Sequence, residues 1–167
     1  MGRVEVVARA PGWRAPDAYR VVCDFSRYAE LTDAVVGVTI DDLGAGRMGA
    51  TWEVRFRRGI LRWSEEDHFD EELCRVDFEL LEGDVEELDG CWEISEDGDG
   101  CRLRFVADFD MGIPTISHIV EPLAEETLAE NIVIIVQGLI PGAEVLEVSA
   151  PAPDPAHDPA TTGAGDG

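Results

Sequence analysis

Between residues 35 and 111 the sequence repeats one arrangement six times: apolar and polar residues alternate over a short run, and a tight turn follows. Alternation with a period of two predicts a β-strand with one buried face, and turns this short connect antiparallel neighbours. The strongest turn signal is EDGDG at 96–100. The six runs are VVGVTIDDL, ATWEVRF, LRWSEEDHFD, CRVDFELL, VEELDGCWEI and CRLRFVADFDM. The sequence therefore predicts a six-stranded antiparallel meander.

Helical patterns flank this meander. A first strand is predicted at 4–10, followed by two short helices, one with Pro16 in its first turn and one over 26–31. After the meander, residues 122–139 carry an apolar stripe at helical spacing, which predicts one long helix. The predicted fold class is α+β, with about seven antiparallel strands, two short helices and a long C-terminal helix.

The length and the C-terminal composition predict the domain organisation. A chain of 167 residues is long enough to bury the core of one domain. We expect that domain to span residues 1–145. Residues 146–167 are expected to be disordered, because most of them form the low-complexity segment PAPDPAHDPATTGAGDG.

The charge of the chain excludes several classes of partner. The sequence has 36 acidic and 13 basic residues, for a formal net charge of -23. Such an anion repels nucleic acid and anionic lipid headgroups, so neither nucleic acid nor a membrane is expected as a partner. Every basic residue is Arg, and the absence of Lys excludes a Schiff-base lysine and a P-loop.

Cysteine usage and the N-terminal sequence bear on cofactors and location. The four cysteines show no CxxC pairing and His is scarce, so no zinc site is predicted. No other cofactor is expected. The N-terminal sequence has no long apolar core of a signal peptide, and no segment is apolar enough to cross a membrane. A cytoplasmic protein with reduced thiols is expected.

The order of these elements resembles the helix-grip fold of START lipid-transfer domains, Bet v 1-like proteins and bacterial polyketide cyclases/aromatases. The residues that carry the likeness are APDAYRVVCDFSRYAEL near the start, GILRWSEEDHFD and LDGCWEI in the sheet, and RFVADFDMGIP before the last helix. The likeness covers about residues 4–142. It implies a curved sheet wrapped around the C-terminal helix, with an elongated apolar cavity between them.

The resemblance also implies a substrate and a partner. Polyketide cyclases fold a poly-β-ketone chain inside the cavity, and an acyl carrier protein delivers it. The DFDM segment at 108–111 is similar to these cyclases, whereas the DF..Y..L pattern at 24–31 is shared with quinone-binding and lipid-binding members. Two further alternatives therefore stay open beside the cyclase: a non-catalytic carrier of a hydrophobic ligand, and a partner-binding module.

The strand LRWSEEDHFD holds the candidate catalytic residues. All its apolar residues fall on odd positions, and Glu65 and Asp67 share that inward face. In an apolar pocket, burial and mutual repulsion raise the pKa of at least one of two neighbouring carboxyls. One acid would protonate a carbonyl or a leaving hydroxyl while the other, ionised, removes a methylene proton. Alternatively, Glu65 or Asp67 pairs with an inward Arg or lies at a solvated mouth of the cavity. In a third alternative, a β-bulge after Trp63 turns both outward and places 64, 66 and 68 inside.

The same strand departs from the family that it resembles. Cyclases typically place a hydroxyl and an Arg on the cavity face there, and alignment on the Trp puts Glu65 and Asp67 at those positions. Arg-based polarisation of a ketone therefore does not carry over. The candidate substrate-binding residues on the strands are inward aromatics, for which core packing is the alternative role: Trp52, Phe56, Trp63, Phe78, Trp92 and Phe105. Two further candidates lie on predicted helices: Tyr28, which alternatively only caps the second helix, and Asn131, which alternatively faces water.

Overall fold

The computed structural model describes residues 1–149, which form one eight-stranded antiparallel sheet and three α-helices. The strand order across the sheet is β2-β3-β4-β5-β6-β7-β1-β8. The strands are β1 Gly2–Pro11, β2 Val35–Gly44, β3 Arg47–Phe56, β4 Gly59–Asp70, β5 Arg75–Gly83, β6 Glu87–Asp97, β7 Gly100–Asp110 and β8 Glu144–Ser149. The helices are α1 Ala15–Val22, α2 Tyr28–Leu31 and α3 Ser117–Leu139, with single 3-10 turns at Phe25–Arg27 and Pro114–Ile116.

The alternating segments form the predicted meander. Each of the five neighbouring pairs from β2 to β7 is antiparallel, and β1 closes the series by pairing with β7. The first short helix has Pro16 in its first turn, as predicted. The second predicted helix is a 3-10 turn followed by the four residues of α2.

An eighth strand corrects the predicted domain boundary at residue 145. Strand β8 pairs with β1 from Val145 opposite Ala8 to Ser149 opposite Glu5, so residues 146–149 belong to the sheet rather than to a disordered tail. Without β8, the outer edge of β1 would leave its N–H and C=O groups unpaired. The rest of the predicted tail, residues 150–167, lies outside the described residues.

The long helix begins earlier than predicted. Helix α3 starts at Ser117, so Pro122 lies inside it instead of in its first turn. Proline lacks the N–H that would bond to the carbonyl four residues earlier, and near a helix start this costs only one hydrogen bond. None of the helices within residues 1–149 has the length and apolar character needed to cross a bilayer.

One face of the sheet, α1 and α3 together bury the core. The buried residues of α3 include Ala129, Ile132, Ile135 and Leu139, which follow helical spacing. Facing them are the inward side chains of the strands, among them Phe105 and Trp92. The buried side of α3 and the buried face of the sheet thereby define the space in which a ligand would bind.

Candidate functional site

A cavity of about 180 Å³ lies between the sheet and α3. Its wall is mostly aromatic and aliphatic, and the two carboxyl side chains that line it are those of Glu65 and Asp67. All ten residues that the sequence singled out line this cavity: Tyr28, Trp52, Phe56, Trp63, Glu65, Asp67, Phe78, Trp92, Phe105 and Asn131. The structure thus brings the candidate residues to one place.

The register of β4 explains why both carboxyls face the cavity. Trp63, Glu65 and Asp67 pair with Trp52, Ala50 and Met48 of β3 without a shift. The pairing of β4 with β5 does contain a bulge, but the extra residue is Leu81 of β5. The alternation of β4 is therefore intact, and the bulge that would have turned 64, 66 and 68 into the cavity does not occur in this strand.

Two tryptophans hold the Glu65 carboxylate. The Trp52 indole N–H donates to Glu65 Oε1 at 2.8 Å, and the Trp63 indole N–H donates to Oε2 at 3.1 Å. Glu65 is only 5 % exposed. Burial raises the pKa of Glu65, and the hydrogen bonds from Trp63 and Trp52 oppose that rise because they stabilise the charged form. Glu65 is thus a buried carboxylate whose two oxygens each have a donor.

The neighbouring Asp67 has the opposite environment. Its side chain is fully buried, and neither of its oxygens has a hydrogen-bond partner in the described part of the chain. Burial, followed by the charge of Glu65 beside it, raises the pKa of Asp67 to about 9. The charge of Glu65 and the lack of a donor thus favour the protonated form of Asp67.

This pair is suited to proton transfer in both directions. Residues two apart on a strand lie about 6 to 7 Å apart on the same face. A neutral carboxylic acid and a carboxylate within that distance supply a general acid and a general base to one bound molecule. Two carboxyls whose environments separate their pKa values are the usual pattern for such a division of roles.

The two helical candidates are held by hydrogen bonds of their own. The Tyr28 hydroxyl donates to the Val22 carbonyl at 2.5 Å, so its ring, rather than its hydroxyl, is offered to the cavity. Asn131 accepts a hydrogen bond from the Thr32 hydroxyl at 2.8 Å and donates to the Thr127 carbonyl at 2.9 Å. Asn131 thereby ties α3 to the segment that leads into β2.

Several cavity residues were not among the candidates. Phe25 lies in the 3-10 turn and packs against Tyr28 and Trp52, with ring centroids 5.5 Å from each. Four other cavity residues lie on strand faces that the alternation predicts to point inward, so the sequence pattern could have identified them: Val54, Leu88, Ala107 and Phe109. Arg55 was expected to be solvated, and it is exposed, yet it also borders the cavity.

A group of possible metal ligands lies on β4 and β5 away from the cavity. Glu66, His68 and Glu79 bring their ligand atoms within 4.8 Å of one another. His68 and Glu79 are exposed, and Glu66 is already paired with Arg47 at 2.8 Å. Exposed acidic groups of this kind are common without an ion, and no function is assigned to this group.

Comparisons with solved structures support the fold. A protein from Thermus thermophilus is 24% identical with a TM-score of 0.72, over 81% of this chain and 93% of that chain. The Zhui aromatase/cyclase of a Streptomyces species is 18% identical with a TM-score of 0.72, over 84% of this chain and 92% of that chain. A START superfamily protein from Mycobacterium smegmatis is 18% identical with a TM-score of 0.70, over 84% and 97%. The helix-grip fold predicted from the sequence is confirmed.

The sequence itself identifies the family. A search of curated proteins finds no match. The model of the family described as polyketide cyclase/dehydrase and lipid transport matches residues 12–133. That span contains the whole meander, the two short helices and most of α3. This protein belongs to the polyketide cyclase/dehydrase and lipid transport family.

Proposed function

We propose that the protein binds a hydrophobic poly-keto molecule in its cavity and promotes cyclisation or dehydration by acid–base catalysis. The observation that carries this proposal is that two neighbouring buried carboxyls differ in their hydrogen-bond donors. Glu65 receives two indole N–H donors, whereas Asp67 receives none. Glu65 is accordingly the base and Asp67 the acid.

The single proton of the pair is enough for an aldol addition followed by loss of water. In the addition, Glu65 takes a proton from a methylene between two carbonyls, the new C–C bond forms at a ketone carbon, and Asp67 protonates the ketone oxygen. The pair then holds its proton on Glu65. In the dehydration, Asp67 removes the remaining proton of the same carbon, and Glu65 protonates the departing hydroxyl. One water leaves, and the pair returns to its starting state.

The cavity supports this chemistry by excluding water and by holding an apolar chain. Its aromatic walls, from Trp52 and Trp63 on one side to Phe105 and Trp92 on the other, offer apolar surface to the substrate. A proton between two carbonyls is acidic, so a buried carboxylate suffices as the base. In a site of low polarity the charge of Glu65 is weakly screened, which strengthens its interaction with the substrate proton.

Turnover of a synthetic triketide thioester tests the proposal. Asp67→Asn and Glu65→Gln keep the size of each side chain and remove its proton chemistry, so each should lower the rate of cyclised or dehydrated product by about 10²- to 10⁴-fold. Glu66→Gln is the matched control, because Glu66 lies on the same strand but not in the cavity wall. Folding is checked by circular dichroism, and wild-type rates in both cavity variants would sink the mechanism.

A second candidate function is a non-catalytic carrier of a quinone, an isoprenoid or a lipid. The observation that favours it is that both oxygens of Glu65 already accept indole N–H groups, as expected of a carboxylate that stabilises the wall. The family description also includes lipid transport. Stoichiometric binding of a co-purified ligand without chemical change, together with an inert triketide assay, would favour the carrier.

A further inference from the structure

A basic segment interrupts this acidic chain at the tip of the β3–β4 hairpin. Residues 54–64 contain four arginines and no Asp or Glu, whereas the whole chain has 36 acidic residues and a net charge of -23. All four are exposed, and three of them, Arg55, Arg57 and Arg58, lie within four residues at the hairpin turn. We call these three residues the rim arginines.

The rim arginines lie at the edge of the cavity. Arg55 borders the cavity, and its Nε–H donates to the Asp33 carbonyl at 3.2 Å, next to the cavity residue Ala34. Arg57 and Arg58 form the two-residue turn that follows Phe56, another cavity residue. Arg57 has a φ of 57°, a conformation that favours Gly, Asn or Asp over Arg. The backbone of the turn is therefore strained at Arg57.

The charges of this turn are largely uncompensated. Arg62, the fourth arginine, is paired with Glu53 at 3.6 Å on the outer face of the hairpin. Neither Arg57 nor Arg58 forms an ion pair with a carboxylate of residues 1–149. The Asp33 carbonyl accepts the Arg55 Nε–H, and the Asp84 carboxylate accepts the Arg62 backbone N–H at 2.8 Å. The guanidinium groups at the turn remain available to an anion.

The two ends of the cavity thus carry opposite charges. Arg55 is five residues along β3 from Ala50, the partner of Glu65, a separation of about 16 Å at 3.3 Å per residue. The inner end holds the Glu65 charge, which repels an anion, and the rim holds the arginines, which attract one. Elsewhere the surface of a protein with a charge of -23 disfavours an anionic ligand.

We propose that the ligand has an apolar, neutral inner end and an anionic outer end, a carboxylate or a phosphate monoester, which the rim arginines bind. This inference rests on the cavity as the ligand site proposed above, and it adds the polarity and the orientation of the ligand. The neutral end reaches Glu65 and Asp67, and the anionic end stays at Arg55, Arg57 and Arg58. Guanidinium groups suit both anions, because their N–H groups match the geometry of carboxylate and phosphate oxygens.

Two fluorescent probes with one skeleton test the polarity. Anilinonaphthalene sulfonate carries an anionic group, and N-phenylnaphthylamine is its neutral counterpart. Replacing the three rim arginines by Gln should weaken sulfonate binding by about threefold to tenfold, since exposed ion pairs are individually weak. The same variant should leave binding of the neutral probe unchanged. Added salt should reduce the sulfonate effect, because these charges are exposed.

A matched variant controls for net charge. Arg14, Arg20 and Arg102 are exposed and none of them lines the cavity, so their joint replacement by Gln changes the total charge equally. Equal losses of sulfonate binding in the two triple variants would overturn the inference while leaving the proposed function intact. A wild-type protein that binds neither probe would contradict the inference together with the proposed apolar ligand site.

Displacement of the neutral probe identifies the anion. Dodecanoate, dodecyl phosphate and dodecanol share one apolar chain and differ at the end group. The inference expects dodecanoate or dodecyl phosphate to displace the probe at lower concentration than dodecanol does, and expects that advantage to disappear in the rim variant. Of dodecanoate and dodecyl phosphate, the compound that displaces the probe at the lower concentration identifies the anionic end group. Equal displacement by all three compounds would overturn the inference.

Discussion

Trp52 and Trp63 are directly opposite each other on β3 and β4, with ring centroids 6.4 Å apart, and both donate their indole N–H to the carboxylate of Glu65. Two tryptophans of the cavity wall therefore influence the ionisation of Glu65. Because both donors go to Glu65 and none to Asp67, they favour the charged form of Glu65 and leave the charged form of Asp67 without support.

Replacing one of these donors should shift the proton balance. Trp52→Phe keeps most of the apolar ring but removes a hydrogen bond to a charged group, so the pKa of Glu65 should rise further. The free energy of unfolding at neutral pH should fall by about 2 kcal/mol. Infrared absorption of the protonated carboxyl groups and urea unfolding measure the two effects.

Trp92→Phe is the matched control for this prediction. Trp92 also lines the cavity and is buried, but it does not donate to Glu65. The control should change stability through packing alone and leave the carboxyl absorption where it is. The assignment of Glu65 as the charged member is wrong if Trp52→Phe and Trp92→Phe give the same carboxyl spectrum.

The raised pKa of Asp67 predicts that stability decreases as pH rises. The folded chain keeps this proton up to about pH 9, whereas the unfolded chain releases it near pH 4. The stability that the Asp67 proton contributes is thus fully present below about pH 4, the unfolded pKa. It is lost progressively as the pH rises towards about 9, the folded pKa. One proton changes the free energy of unfolding by at most about 1.4 kcal/mol per pH unit.

Asp67→Asn should flatten this slope, because the amide stays neutral at every pH. Urea unfolding from about pH 5 to about pH 8 measures the difference. Asp89→Asn, at an exposed position of β6, removes the same formal charge and should keep the wild-type slope. Parallel slopes for wild type and Asp67→Asn would contradict the protonated state of Asp67.

The hydrogen bond between Thr32 and Asn131 predicts an energetic coupling between α3 and the entry to β2. In a double-mutant cycle of Thr32→Val and Asn131→Ala, the coupling should be about 1 kcal/mol, since the pair is partly buried. Thr39→Val with Asn131→Ala should be additive, because Thr39 is exposed on β2 and does not contact Asn131. Additivity in both cycles would show that the bond does not stabilise the fold.

Gly90 should be intolerant of any side chain. A Cβ at Gly90 would lie 2.0 Å from the Val106 carbonyl oxygen and 2.6 Å from the Phe78 ring that lines the cavity. Gly90→Ala should therefore lower the free energy of unfolding by about 2 to 3 kcal/mol in a denaturant titration. At Gly37 a Cβ meets nothing within 4 Å, so Gly37→Ala should change stability by less than about 1 kcal/mol. Equal effects would contradict the close approach of β6 to Phe78.

Much of the fold follows from local pattern. The alternation in each run specifies which side chains face inward, because the side-chain period of a strand is two. That rule placed Trp52, Trp63, Glu65 and Asp67 on one face of the sheet, and the structure lines the cavity with them. Strand β8 escaped the prediction because six residues beside a Pro-rich tail carry little signal, and only the open edge of β1 requires them.

The sequence by itself determined that two carboxyls share an inward face, because their spacing along one strand is local. Only the tertiary structure decided which of them receives hydrogen-bond donors that favour its charged form. Trp52 reaches Glu65 from a neighbouring strand, and the burial that leaves Asp67 without a donor comes from the packing of the sheet against α3. Ionisation depends on the donors and the solvent around each group in three dimensions, and neighbours in space are not read from spacing along the chain.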